Sequence, residues 1–320
     1  MSFKQRIRNK LFGIDLRELD KINEVSNKIS DLHSFLGPFE SFTPEVLARL
    51  RDIEIKTHHL ESRLIKQQEV LKAQRDNIPE LRNQLFELRK TKEYRDVFEN
   101  KKPLVTVRIA TYNRADQLVE TAIRSVLNQT YDNFEIIIVG DHCTDNTEDR
   151  IKELNDDRIT FINLPNRSLY PEDKQKRWFV AGSPGMNLAA SLAKGDWIAP
   201  LDDDDEFSKD HIEKLLKLAL DKKAELVYGS LEQINTENNE TFNVWSDPPA
   251  LSHFSFQGAM YMRYLNFFQY DQQSWVVDEP GDWNLCRRML LSGVYYAATK
   301  DNVGKMNMTL YDKKKERKLE

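Results

Sequence analysis

VTVRIATYNRADQLVETAIRSVLNQTYDNFEIIIVGDH, residues 105–142, holds two short apolar runs, Val105 to Ala110 and Phe134 to Val139, on either side of a stretch from Asp116 to Asn128. Short runs of aliphatic and β-branched residues bounded by polar turn residues suit strands buried on both faces, whereas the stretch between them carries its apolar residues at helical spacing. The alternation continues downstream. Ile159 to Asn163, Trp197 to Leu201 and Leu226 to Tyr228 read as further strands; Thr144 to Leu154, Gly185 to Lys194 and Lys209 to Leu220 read as helices. This pattern predicts an α/β fold, a mainly parallel sheet flanked by helices, and ligands of such sheets collect at the carboxyl ends of the strands.

Upstream of Pro103 the period is helical throughout. A heptad runs from Val46 to Leu88 through Leu50, Ile53, Leu60, Leu64, Leu71, Ile78, Leu81, Leu85 and Leu88, with Thr57, Gln67 and Gln74 as polar interruptions. That is a coiled-coil signature, and such a strip must be covered by a neighbouring helix or by another copy of the chain. A shorter run, Ile22 to Leu36, has the same spacing and is separated from it by Gly37-Pro38. Pro79 falls inside the long run and is expected to kink or restart the helix, with Asn77 available as a cap. The expected organisation is an all-α coiled coil or helical hairpin over residues 1–100, an α/β domain over 101–310, and a charged tail over 311–320.

The chain has 320 residues, a net charge of −5 and 31% charged residues, with the excess of charge before residue 102. That length makes two units the prior expectation, and an acidic balance disfavours a general nucleic-acid binder, which needs basic surface against phosphate. No run approaches the roughly 18 to 20 apolar residues of a membrane-spanning helix. The basic N-terminal segment with Lys4, Arg6, Arg8 and Lys10 reads either as a solvated helix end or as a peripheral contact with an anionic lipid surface. Cys143 and Cys286 fit no metal or redox spacing, in keeping with a reducing compartment. The location these features imply is the cytoplasm, with peripheral attachment at the inner face of the membrane as the variant.

Polar residues follow three of the strands: Thr111, Tyr112, Asn113 and Arg114 the first, Asp141 the second, and Asp202 to Asp205 the run WIAPL. Four consecutive carboxylates repel one another and raise each other's pKa unless a cation is present. Asp202 and Asp204, two apart on extended backbone, face the same side and form a pair of hard oxygen ligands suited to Mg²⁺ or Mn²⁺. A solvated acidic turn or a helix cap near Ser208 is the plainer reading of the same residues.

Three ordered blocks, "VRIATYNRADQLVETAIRSVLNQTYDNFEIIIVGDHCTDNT", "AKGDWIAPLDDDDEF" and "GDWNLCRRML", make the back half of the chain resemble family-two glycosyltransferases of the GT-A fold over about 200 residues. The resemblance implies that Thr111, Tyr112, Asn113, Arg114, Asp141, Asn187 and Asp203 bind the nucleotide, that Asp202 and Asp204 hold the metal, and that Asp282 is the catalytic base. Asp141 matches the acidic position that receives a hydrogen bond from the nucleotide base. Gly140, His142, Cys143 and Met186 depart from the family pattern around it and around Asn187. Arg114 meets either phosphate or Asp116, and Asp282 alone would read equally as a helix N-cap, with Asp278 and Glu279 as substitutes. Arg167, Lys174 and Arg177 read as surface charges or as cations for the donor diphosphate. Trp178, Trp245, Trp275 and Trp283 read first as packing residues and second as platforms for sugar rings. His253 is read as a structural histidine or an acceptor contact.

The function implied is an inverting, metal-dependent glycosyltransferase. Its donor would be a nucleotide sugar, a UDP-sugar first, and its acceptor a glycan, a lipid-linked glycan or a protein; self-association would run through the coiled coil. The alternatives are a sugar nucleotidyltransferase, disfavoured by the absence of a glycine-rich phosphate loop, and a coiled-coil scaffold with a degenerate catalytic domain.

Overall fold

The computed structural model describes residues 27, 28, 31, 44–235 and 240–308. The helix expected near residues 22–36, the basic N-terminal segment and the tail 311–320 lie outside the described residues, apart from those three positions. The chain divides into two compact units, Met1–Asn77 and Ile78–Glu320. Helix α1, Pro44–Leu88, is continuous with Pro79 inside it, so the expected restart is not seen. An internal proline costs about 3 kcal/mol through its lost donor and its clash with the preceding turn. Ile78, Leu81 and Leu85 on either side of it are buried in the core of the second unit, and each contributes about 1.5–3 kcal/mol, which outweighs that cost. In the first unit Leu50, Thr57, Leu64, Gln67, Leu71 and Gln74 on the heptad line are less exposed, but so are Glu61 and Val70 off it, and Ile53 and Leu60 on the line are exposed.

The second unit therefore begins well before residue 101, and the expected division at residue 100 falls inside it. Thr91 caps α2, Lys92–Glu99, by accepting from Tyr94 N at 3.2 Å, and Val97 is buried. Between the two helices Arg89 grips Glu225 with Nε at 2.7 Å and Nη2 at 2.8 Å, and Tyr94 Oη donates to the same carboxylate at 2.8 Å. Glu225 also accepts from Tyr295 N at 2.7 Å, so one fully buried carboxylate ties α2 to the starts of two strands. Removing its charge leaves Arg89 partly buried without a counter-ion. Glu225→Gln is expected to lower unfolding stability by about 2 kcal/mol, read from urea denaturation, with no change in nucleotide affinity.

Among the described residues the sheet has nine strands: β1 Val105–Thr111, β2 Phe134–Gly140, β3 Ile159–Asn163, β4 Trp197–Asp202, β5 Glu206–Phe207, β6 Leu226–Asn235, β7 Thr241–Val244, β8 Ala259–Met262 and β9 Tyr296–Met308. Their order is β3-β2-β1-β4-β8-β6-β9-β5, with β7 on the side of β6. Pairing is parallel among β3, β2, β1 and β4 and again between β6 and β9. β8 joins these two blocks through antiparallel pairs, as β5 and β7 join their neighbours, so the sheet is mixed and the parallel pattern holds within the blocks. The chain moves outward from β1 to β2 and β3, then returns to the other side of β1 with β4. The ends of β1 and β4 thus form a switch point, where α/β sheets bind ligands.

Helices α3 (residues 115–127, with a π-helical turn Leu118–Ile123), α4 Thr147–Glu153, α5 Lys174–Val180, α6 Ser183–Leu192, α7 His211–Lys222 and α8 Gly281–Ser292 complete the unit. Gly185 lets α6 approach β1: a Cβ there would stand 3.2 Å from Ala110 Cβ. His211 opens α7 fully buried, stacked on Phe207 at 3.6 Å between ring centres, with Nδ1 2.7 Å from the Val303 carbonyl. Burial holds its pKa down at about 4, while Asp210 and Lys214, its charged neighbours, oppose each other. The unfolded chain takes up a proton near pH 6.5 that the native state refuses, so this stability is complete above that pH and falls as pH drops toward 4. About 2 kcal/mol is expected to be lost between pH 6.5 and 5, and His211→Gln should flatten that slope in thermal melts at fixed pH values.

Candidate active site

Acidic side chains collect where β1, β2 and β4 end. Asp202 is the last residue of β4, and its amide is fixed by Gln257 Oε1 at 2.6 Å. Asp203 turns inward: Thr111 Oγ1, at the end of β1, donates to its Oδ2 at 2.7 Å, and Arg114 Nη1 donates to its Oδ1 at 3.0 Å. Arg114 Nη1 also reaches Asp204 Oδ2 at 2.6 Å. Arg114 therefore does not pair with Asp116, which is held by Arg150; it is the cation of the acidic turn. Asp205 is buried and accepts from Asn307 N at 2.8 Å, and Asn307 Nδ2 donates to the Asp204 carbonyl at 2.6 Å. The last strand thus clamps the turn from behind, and the plain solvated turn does not describe it.

The electrostatics follow from this crowding. Burial, then Asp282, then Asp204 push the Asp202 carboxyl up to about 7, with Arg108 opposing them. Burial, then Asp202 and Asp204, push Asp205 well above the usual carboxylate range. Burial also raises Asp203, against Arg114 and Thr111. Such a concentration of negative charge is what a divalent cation relieves. Among the described residues no three His, Cys, Asp or Glu side chains form a metal-holding group. The chain offers the Asp202 and Asp204 carboxylates, and diphosphate and water would have to complete a coordination shell of oxygens.

Asp282 stands in the first turn of α8, behind Pro280 at the N-cap, and makes no capping bond. The N-cap reading fails because its carboxylate points across the unit instead. Oδ2 accepts from Ser255 Oγ and Phe256 N, both at 2.9 Å, and Oδ1 accepts from Tyr270 Oη at 2.9 Å. Ser255 and Phe256, which hold Asp282, immediately precede Gln257, which holds the Asp202 amide, so one segment ties the two residues together. Glu279 is already bound by Asn284 Nδ2 at 2.7 Å and Arg287 Nη2 at 2.8 Å, and Asp278 is exposed, so neither matches the placement of Asp282.

On the far side of β1, Asp141 follows β2 and accepts from Ser168 N at 2.9 Å, from Tyr170 Oη at 2.7 Å and from Arg167. The Arg167 guanidinium lies 3.5 Å from the ring centre of Tyr112. Arg167 thus lies over Tyr112 and pairs with Asp141, and is more than a plain surface charge. Asn113, at a positive φ of 50°, spends its Oδ1 on Thr144 N at 2.8 Å and so ties the first loop to the second. Asn187 spends its amide on the backbone of Tyr270, donating to the carbonyl at 3.0 Å and accepting from the amide at 2.8 Å. Both asparagines shape the site by holding loops.

Trp283 is buried, as the packing reading expects, but Trp178 is 59% exposed, and His253 is exposed too. Ser255, Gln257, Tyr270 and Arg108 were not singled out from sequence. The first three sit in irregular segments without a motif, whereas Arg108 announces itself as a charge inside an apolar strand.

The glycosyl transferase family 2 model matches residues 106–172 and 174–292. Hyaluronan synthase of Pasteurella multocida is 32% identical over 163 residues, 50% of this chain and 15% of that protein. The Escherichia coli protein WfaP, named a UDP-Glc:alpha-D-GlcNAc-diphosphoundecaprenol beta-1,3-glucosyltransferase, is 34% identical over 165 residues, 51% of this chain and 57% of that protein. The chain spans no more than about three fifths of either relative. Among solved structures, Staphylococcus aureus TarS 1–349 in complex with UDP superposes with a TM-score of 0.50 at 14% identity, covering 64% of this chain and 60% of that one, a likeness of fold.

Proposed function

Because the chain belongs to glycosyl transferase family 2, we propose that it transfers a sugar from a nucleotide-sugar donor to a carbohydrate-bearing acceptor, with inversion at the anomeric carbon. The observation that carries this reading is that the one segment 255–257 holds both the Asp282 carboxylate and the backbone of Asp202, the first residue of the acidic turn at the end of β4. In the transfer, an acceptor hydroxyl forms a bond to the anomeric carbon as the bond from that carbon to the phosphate oxygen breaks. The hydroxyl proton passes to Asp282, and the electron pair leaves with the nucleoside diphosphate. Asp202 and Asp204 would hold Mn²⁺ or Mg²⁺, which stabilises the charge developing on the departing diphosphate. Arg114, already between Asp203 and Asp204, is placed to turn its free face to the same phosphates.

Asp141 and Tyr112 are the proposed seat of the nucleotide base, which must displace Arg167 to reach them. WfaP, by its name, uses a UDP-sugar and a diphospholipid-linked acceptor, and supports UDP as the first donor nucleotide to try and a lipid-linked glycan as the first acceptor. Titration calorimetry of UDP, GDP and dTDP, with and without Mn²⁺, tests the donor site. Binding of UDP that strengthens at least tenfold with Mn²⁺ is expected; equal weak binding of all three nucleotides, indifferent to metal, would remove the proposal.

A further inference from the structure

We infer that Arg108 is a positioning residue for the transfer: a buried cation that, through the Tyr270 hydroxyl, fixes the aim of the Asp282 carboxylate. The inference rests on Asp282 being the base. Arg108 lies in the middle of β1 and is 1% exposed. Its Nη2 donates to Tyr270 Oη at 2.7 Å, and its guanidinium carbon lies 5.1 Å from the centre of the Tyr270 ring. No hydrogen bond reaches Nε or Nη1 among the described residues. A guanidinium buried against Tyr270 and Tyr261 with no direct carboxylate partner is costly, and a methionine would fill the same space without that cost. Burial opposes the charge, and Tyr270 and Tyr261, then Asp202 and Asp282, favour it, so the guanidinium is coupled to both aspartates as well as to the two phenols.

The direction of the hydrogen bonds follows from donor and acceptor types. A guanidinium can only donate, so the Tyr270 oxygen accepts from Arg108 and its single proton is sent on to Asp282 Oδ1, 2.9 Å away. With Ser255 and Phe256 N on Oδ2, three donors set the carboxylate plane and leave one lone pair, on Oδ1, for an incoming hydroxyl. Tyr270 is itself built in. Asn187 grips its backbone from both sides, and Gly281 leaves room for its ring, since a Cβ there would stand 3.2 Å from Tyr270 Cδ1. Arg108, Tyr270 and Asp282 thus form a line from the core to the site.

The test uses the full chain with Mn²⁺ and, among UDP-glucose, UDP-N-acetylglucosamine and GDP-mannose, the donor that the wild type hydrolyses fastest, with water as acceptor. Tyr270→Phe and Arg108→Met are each expected to lower kcat about tenfold with KM and nucleotide Kd within twofold of wild type. The double variant should also fall about tenfold, because both changes break one line. Arg108→Lys should recover part of the loss. If Arg108→Met does not fold, Tyr270→Phe with Arg108→Lys carries the comparison. A hundredfold loss in the double variant, a matching loss of nucleotide affinity, or full activity in Tyr270→Phe would overturn the inference. Full activity in Asp282→Asn would instead overturn the reading of Asp282 as the base.

Discussion

Asp282→Asn is expected to lower turnover about a thousandfold while nucleotide affinity stays within twofold of the wild type. General-base catalysis is worth about 10²–10⁴-fold, and an amide cannot take the acceptor's proton. The asparagine oxygen can still accept from Ser255 and Phe256 N, while its NH₂ faces the Tyr270 hydroxyl proton, which loses its acceptor, so a modest loss of thermal stability is expected beside the loss of turnover. No neighbour takes over, because Glu279 is committed to Asn284 and Arg287. Steady-state rates beside calorimetric affinities decide the matter, and turnover within tenfold of wild type would remove Asp282 from the mechanism.

Asp204→Asn is expected to cut kcat/KM roughly a thousandfold and to abolish the response of nucleotide binding to Mn²⁺, since a metal at a departing diphosphate contributes several kcal/mol to the transition state. The loop itself should survive. Asn307 holds it through the Asp204 carbonyl and the Asp205 carboxylate, neither of which the substitution alters. Asp203 provides the contrast. Both its oxygens are committed, one to Thr111 and one to Arg114, so Asp203→Asn should disturb the turn and lower thermal stability with or without metal. A metal titration of each variant separates the two, and Mn²⁺-dependent binding retained in Asp204→Asn would place the cation elsewhere.

The strand and helix alternation after Pro103 was legible because buried parallel strands are apolar from end to end and the helices between them are periodic. The acidic turn and Asp282 stood out by motif, and the structure attaches both to the segment 255–257. Other features depended on contacts between residues some thirty to more than a hundred positions apart, which no local pattern records. Residues 78–99 read as helix but not as part of the catalytic unit, because their partner Glu225 looks in sequence like any charged loop residue. Pro79 reads as a helix breaker, and only the burial of Ile78, Leu81 and Leu85 reverses that. Asn113 and Asn187 stand where nucleotide contacts are expected, yet their amides are spent on loops whose approach cannot be foreseen from either sequence segment alone.

The clamp of Asn307 on the acidic turn also sets a timetable. Asp205 and Asn307 are 102 positions apart, and synthesis at about 5–20 residues per second separates their emergence from the ribosome by about 5–20 s. During that interval β1 to β4 can pair, while four adjacent carboxylates wait without the strand that fixes them. Nascent chains arrested before β9 should therefore carry a sheet that resists protease and a donor site that does not yet exist.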